Sequence, residues 1–491
     1  MIVSTASGPV RGRERDGIRQ YFGIPFAAPP VGARRFRPPQ PPDPWTEPRD
    51  ATCRGPLAPQ LESPLEKMLG APPPVWDEAG CLTLNVFTPG PDDARRPVMV
   101  WIHGGAFLNG GGSTPIYDGT RFAQQGDVVV VTINYRLGLF GFLHLEDLFG
   151  EEVRGSGNAG LLDQIAALHW VQENIAAFGG DPDQVTIFGE SAGAMSIGTL
   201  LGMPAAEGLY HRAIVQSGSS SFAQTPAKAT EMARRVLELA GVDSLAGLEA
   251  LTAEELLRVQ AKLLASGLRT DLPFRPTVDG HSVPDVPLRT IAAGKTGGVP
   301  TLIGTTRDEM TLFLALDPKL GELDDDGLRQ RFERIFGEGA ADALATYRSH
   351  RPAASVVDLL VAVTTDQVFR IPSIRLAEAQ AARGLPAFMY WFTWESPALG
   401  GRLGSCHALE LPFVWDALDR PGLSQLTGDA PERHALAEAM HQAWIRFART
   451  GDPGWPRYDT TTRTTQRFDT SIEAIDDPLG DERALWETVR T

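Results

Sequence analysis

A serine hydroxyl does chemistry only where the fold thrusts it out of the chain, and one stretch is built for that: Gly189-Glu190-Ser191-Ala192-Gly193. It follows the β-branched run Val185-Thr186-Ile187-Phe188 and precedes Ala194-Met195-Ser196-Ile197-Gly198-Thr199-Leu200-Leu201, whose apolar spacing is helical. The pattern predicts strand, sharp turn and helix, with Ser191 at the apex. Gly189 and Gly193 keep side chains away where strand and helix pass close together. A nucleophile of this kind needs a second feature, backbone N–H groups aimed at the oxyanion of acyl transfer. Gly105 and Ala106, in Trp101-Ile102-His103-Gly104-Gly105-Ala106-Phe107, are small enough to let a substrate approach. The N–H of Ala192 can supply a third donor. A plain glycine turn is the competing reading, favoured by the following Asn109-Gly110-Gly111-Gly112.

The hydroxyl also needs an imidazole base, itself oriented by a carboxylate. Nine histidines compete: His103, His144, His169, His211, His281, His350, His407, His434 and His441. His169 falls in the helix before the nucleophile. His434 and His441 lie on a C-terminal helical pattern that reads as a packing or solvated face, and His103 reads as positioning the glycine loop. If the order is serine, acid, histidine, the base follows Ser191, and His407 is one of several that do. The acid should leave a strand between serine and base. Val299-Pro300-Thr301-Leu302-Ile303-Gly304 is such a strand, and Asp308 and Glu309 follow it. Either could serve, and a salt bridge to Arg307 is the ordinary alternative for both.

The elements that must hold these groups read as a buried sheet. Leu82–Phe87, Val98–Ile102 and Val128–Ile133 are short apolar runs bounded by Gly, Pro and Asp. Between Asn158 and Phe178 the spacing of Leu161, Leu162, Ile165, Leu168, Val171 and Ile175 predicts a helix. Alternating strands and helices argue a mostly parallel sheet covered on both faces. Residues 1–45 read as small antiparallel strands leading into proline-rich turns. Residues 61–78 lack any period and read as a loop, either at the site entrance or a plain linker.

The chain has 491 residues, 42% of them hydrophobic and 22% charged, and 61 acidic against 45 basic residues give a net charge of −16. That balance disfavours nucleic acid and anionic membrane as partners. No run approaches a membrane span and no basic, apolar leader opens the sequence, so a cytoplasmic protein is expected. Cys53, Cys81 and Cys406 are an odd, sparse set that fits a reducing compartment. No HExxH, Walker A or dinucleotide fingerprint is present, so neither metal nor cofactor is expected.

Ordered along the chain, Phe22-Gly23-Ile24-Pro25-Phe26, Arg35-Phe36-Arg37-Pro38-Pro39, Cys81-Leu82-Thr83-Leu84-Asn85-Val86-Phe87, the His103–Phe107 run, Asn134-Tyr135-Arg136-Leu137-Gly138, Phe178-Gly179-Gly180-Asp181-Pro182, the Ser191 turn and Phe447-Ala448-Arg449-Thr450-Gly451-Asp452-Pro453 resemble the type-B carboxylesterase family. The resemblance implies an α/β-hydrolase fold, one catalytic domain over 1–491 with helical insertions within 225–380, and hydrolysis of small uncharged esters of short to medium acyl chain. It implies Ser191, Glu309 and His407 as the triad, the last followed by the family's Glu-Leu-Pro-Phe. Gly105, Ala106 and Ala192 become the oxyanion donors, and Glu190 and Ser217 supporting positions. A lipase is the alternative within the same chemistry, and a non-catalytic adhesion module the alternative outside it. The sequence leaves the oligomeric state open.

Three departures carry expectations of their own. The cysteine that secreted relatives pair with the position of Cys81 falls here on Ala58, so no such disulfide is expected. Ala79-Gly80 replace an acidic pair, so the family's ion pair with Arg35 is expected to be missing. Trp76 lies out of register with the tryptophan by which cholinesterases hold quaternary ammonium, so choline esters are not the expected substrates.

Overall fold

A computed structural model describes residues 1–63, 73–266, 272–315 and 320–489. The chain divides into two compact units. The first comprises Met1–Ile214, Ser220–Pro300 and Ala448–Gly451, and the second Val215–Ser219, Thr301–Phe447 and Asp452–Thr491.

In the first unit, strands β1 (Ile2–Thr5), β2 (Gly8–Arg11) and β5 (Arg49–Asp50) make a small sheet. The main sheet runs β9 (Gly180–Glu190), β7 (Arg96–Ile102), β8 (Val129–Ile133), β6 (Thr83–Thr88), β4 (Ile18–Pro25) and β3 (Arg13–Arg15). β7 pairs in parallel with both β8 and β9, whereas β6, β4 and β3 continue antiparallel. The centre is the apolar part of the sequence: Val98 to Ile102 and Val129 to Val131 have no solvent exposure at all. A strand buried on both faces needs a continuous rather than alternating apolar run, which is what these residues supply. The helix Ala159–Asn174 covers the sheet with Leu161, Ile165, Leu168 and Val171 buried; Leu162, expected on that face, is only half-buried.

In the second unit, β11 (Thr301–Thr306), β12 (Ala387–Phe392) and β13 (Thr464–Phe468) are parallel, and β14 (Glu473–Asp476) closes that edge antiparallel. Strand β10 (Arg212–Gln216) has residues in both units. The helices Pro226–Ala240, capped by Thr225, and Ala253–Ala265, capped reciprocally by Thr252 and Glu255, belong to the first unit, and further helices from Met310–Leu314 to Ile371–Ala382 belong to the second. The loop expected over 61–78 falls partly on 64–72, outside the described residues.

Two departures come out differently. All three cysteines are free, with Cys81 and Cys406 buried. Arg35, expected to lack its ion pair, has one: Nε and Nη2 donate to the two oxygens of Glu78, each at 2.6 Å. Glu78 sits one residue before the replaced pair and reaches the same guanidinium, which also donates to the carbonyls of Glu249 (2.9 Å) and Leu251 (2.7 Å). Among the described residues, no helix is long and apolar enough to cross a membrane, and no group of three His, Cys, Asp or Glu side chains is arranged to hold a metal ion.

Candidate active site

Ser191 stands where the sequence places it, between β9 and the helix Ala192–Leu200. Its backbone has φ 56° and ψ −123°, a conformation that costs a non-glycine residue of order 1–3 kcal/mol. Close packing against β7 forces the turn. A methyl group on Gly193 would lie 1.9 Å from the carbonyl oxygen of Ile102, and one on Gly189 2.5 Å from the same oxygen. Only glycine fits at either position, and Ser191 sits at the tip of the turn they permit.

The loop after β7 lies against this turn. A methyl group on Gly104 would meet the Glu190 backbone oxygen at 2.8 Å, its Oε2 at 2.9 Å and Ser191 Cβ at 3.1 Å. Glu190 therefore flanks the loop that carries the oxyanion candidates. Gly105 (φ 110°), Ala106 (φ 57°) and Phe107 (φ 59°) are all left-handed, and Gly105 O accepts from the N–H groups of Leu108 and Asn109 at 2.9 Å. The loop thus coils tightly on its own carbonyls.

Buried polar groups hold it. His103 Nδ1 lies 2.8 Å from Gly104 O, and since a carbonyl only accepts, this nitrogen carries the proton. The ring stacks on Tyr135 at 4.4 Å, and Tyr135 Oη donates to His103 O at 2.8 Å. Burial holds the His103 pKa down to about 4, so the ring is neutral at pH 7. Gln60 pairs reciprocally with the backbone of Gly110, both bonds at 2.9 Å. His103 is a support for this loop, as its place in the sequence suggests.

The candidates for acid and base both lie in the second unit. Asp308 N donates to Ser405 O and Ser405 N donates to Asp308 Oδ2, each at 2.8 Å, which zips the loop after β11 to the loop holding His407. Asp308 is further engaged by Arg307 at 2.8 Å. Of the two adjacent carboxylates it is Glu309 that faces the imidazole: its Oε2 accepts from His407 Nδ1 at 2.6 Å. The other oxygen accepts from Ser217 Oγ at 2.6 Å and Thr306 N at 2.8 Å. Glu309 is fully buried and Ser217, itself at φ 53°, is fixed by its N–H to Gly304 O at 2.8 Å. With the Nδ1 proton committed to the carboxylate, the ring's lone pair sits on Nε2, the arrangement a general base requires. Cys406, next in sequence, is no competing nucleophile, because burial pushes its thiol up to about 12.

Two contacts of His407 were not legible in the sequence. Phe313 and Phe369 each place a ring centroid 4.9 Å from that of the imidazole. Nothing in their spacing marks them, since the fold alone brings residues 313, 369 and 407 together. Thr306 N is equally silent, a backbone group without a side-chain signal.

A sequence profile described as the carboxylesterase family matches residues 1–482. This chain belongs to the carboxylesterase family. It is 41% identical to the para-nitrobenzyl esterase of Bacillus subtilis (strain 168), covering 98% of this chain and 97% of that one. It is 38% identical to the phenmedipham hydrolase of Pseudarthrobacter oxydans, covering 93% and 92%. Among solved structures, a Geobacillus stearothermophilus carboxylesterase at pH 6.2 matches with a TM-score of 0.90 and 45% identity over 99% of both chains. A para-nitrobenzyl esterase structure matches with a TM-score of 0.88 and 41% identity over 99% of both. The fold is that of the α/β-hydrolases, as the resemblance implies, and the protein is a serine carboxylesterase, an enzyme that hydrolyses carboxylic esters. The comparisons favour neither the lipase nor the adhesion module.

Proposed function

We propose that this carboxylesterase hydrolyses uncharged esters of short to medium acyl chain through an acyl-enzyme on Ser191. Ser191 Oγ attacks the ester carbonyl while His407 Nε2 takes its proton. Glu309 holds the ring in the required tautomer and stabilises the imidazolium. The N–H groups of Gly105, Ala106 and Ala192 receive the oxyanion. Collapse of the tetrahedral intermediate releases the alcohol, which leaves with the proton from His407. Water, deprotonated by the same nitrogen, then frees the acid. Ser217 and Thr306 N keep the Glu309 carboxylate turned to the imidazole, and Glu190 supports the loop at Gly104. The reading draws Ser191 from the first unit and the acid and base from the second, and so treats residues 1–491 as one catalytic domain.

The observation that carries the reading is the buried Glu309–His407 pair at 2.6 Å, braced by Ser217. A carboxylate with both oxygens occupied and one of them aimed at an imidazole is the acid–base half of such a triad. The test is a panel of p-nitrophenyl esters of graded chain length, run on the native enzyme and on Ser191→Ala. Turnover should be highest from acetate to octanoate and fall by a factor on the order of 10⁴ or more in the variant. Undiminished rates in Ser191→Ala refute the mechanism. A rate that jumps once long-chain substrate aggregates would make the enzyme a lipase.

A further inference from the structure

The helix that begins at Val356 does not stay regular. Val356–Thr365 is α-helical, Asp366–Arg370 forms one π turn, and the α-helix resumes over Ile371–Ala382. Pro372 gives the local cause. It has no N–H to offer the carbonyl of residue 368, and in a regular α-helix its ring would clash with that carbonyl, a clash the wider turn avoids. Phe369 lies within the widened turn, buried, its ring tilted 39° to that of His407. Phe313 lies at 48° to the imidazole and only 12° from the plane of Phe369, with the two phenylalanine centroids 6.2 Å apart. The imidazole thus rests on a stacked aromatic pair, one member of which is presented by the π turn.

A buried polar chain ties both ends of that turn to the C-terminal segment. Trp486 Nε1 donates to Tyr347 Oη at 2.9 Å, and Tyr347 Oη donates to Asp366 Oδ2 at 2.5 Å. Arg370 Nη1 donates to Asp366 Oδ1 at 3.2 Å, and its Nη2 donates to Pro478 O. Tyr347, Asp366, Trp486 and Arg370 are each at most 6% exposed. Burial and the adjacent Asp366 push the Tyr347 pKa well up, so its hydroxyl remains a donor throughout the working range of pH. A buried polar chain is a costly way merely to pack a terminal helix, because apolar side chains of the same volume do that as well or better. What it adds is direction: each bond fixes the angle of the next group, ending at the residues that open and close the π turn.

We propose that Trp486, Tyr347 and Asp366 are positioning residues for His407, acting through the π turn and the ring of Phe369. The inference rests on His407 being the base proposed above. It is tested with Tyr347→Phe, Phe369→Leu and the double variant, with kcat expressed per reactive serine counted by a fluorophosphonate titrant. Each single variant should lose about tenfold in kcat with KM held within about twofold, the signature of a misplaced base rather than a damaged binding site. The double variant should lose no more than the worse single one, since both act on one element. Trp486→Phe, which removes only the indole donor, should show a smaller loss in the same sense and serves if Tyr347→Phe does not fold. A lowered melting temperature with unchanged kcat, or losses that multiply in the double variant, would overturn the proposal. His407→Gln separates the two levels: if it stays active the triad itself is wrong, whereas if it is inactive while Tyr347→Phe keeps its kcat, only the positioning role falls.

Discussion

Acid should weaken this enzyme through His103 before it does so through most of its carboxylates. Buried against Tyr135, His103 has a pKa of about 4, against an ordinary value of 6.5. Its Nε2 has no hydrogen-bond partner among the described residues, so protonation there would place a charge in the interior without an acceptor. In the unfolded chain the ring takes up a proton as pH falls through 6.5; in the folded chain it does not until about 4. Between those values the unfolded state holds the extra proton, so stability falls with pH. At about 1.4 kcal/mol per unit over about 2.5 units, the loss reaches about 3 kcal/mol at pH 4. Urea unfolding followed by tryptophan fluorescence between pH 7 and 4.5, on the native protein and on His103→Gln, measures the difference. The variant should be about 1 kcal/mol less stable at pH 7, having lost the bond to Gly104 O, and should gain on the native protein steadily as pH falls. Other groups that titrate in this range are common to both proteins and cancel. Parallel curves, or a His103 Cε1–H resonance that titrates near 6.5, refute the reasoning.

The two adjacent carboxylates should separate cleanly. Glu309→Gln removes the charge that faces His407 and should lower kcat by roughly 10³–10⁴, whereas Asp308→Asn, which touches Arg307 and Ser405, should cost less than tenfold in kcat and show instead in thermal stability; the reverse order in an ester assay would reassign the acid. Glu78→Gln leaves the Arg35 guanidinium, only 9% exposed, without its counter-charge and should cost about 3–5 kcal/mol in urea unfolding, with kcat per titrated site unchanged.

What could be read from the residues follows from where the deciding physics is local. Val98–Ile102 and Val129–Ile133 declare themselves because a strand buried on both faces must be apolar throughout. By contrast β9 begins at Gly180, five residues before its apolar run, in Gly-Asp-Pro-Asp-Gln. That polar start is carried by Arg96 across a register shift in the β7 pairing, a tertiary fact with no local mark. At the site, the turn around Ser191 is legible because its glycines answer a steric demand a few atoms away. Singling out His407 and Glu309 as the candidate base and acid takes the family resemblance, since spacing alone leaves several histidines and two carboxylates open. The Glu78 partner of Arg35 is hidden in the sequence because two neutral residues, Ala79 and Gly80, stand at the usual place and the carboxylate lies one position earlier. Phe313 and Phe369 carry no local mark, being 94 and 38 residues from His407 in the chain and its neighbours only in the fold.

The junction at Arg35 bears on how the chain is made. Its guanidinium is complete only when Glu78 and the carbonyls of Glu249 and Leu251 have all arrived. On the ribosome, about 170 residues separate the synthesis of Glu78 from that of Leu251, which at about 5–20 residues per second is roughly ten to thirty-five seconds. Through that interval the acceptors that Glu249 and Leu251 supply to the guanidinium are not all in existence. The junction is thus completed late in synthesis, and a chain that stops short of Leu251 leaves a nearly buried guanidinium without one of its acceptors.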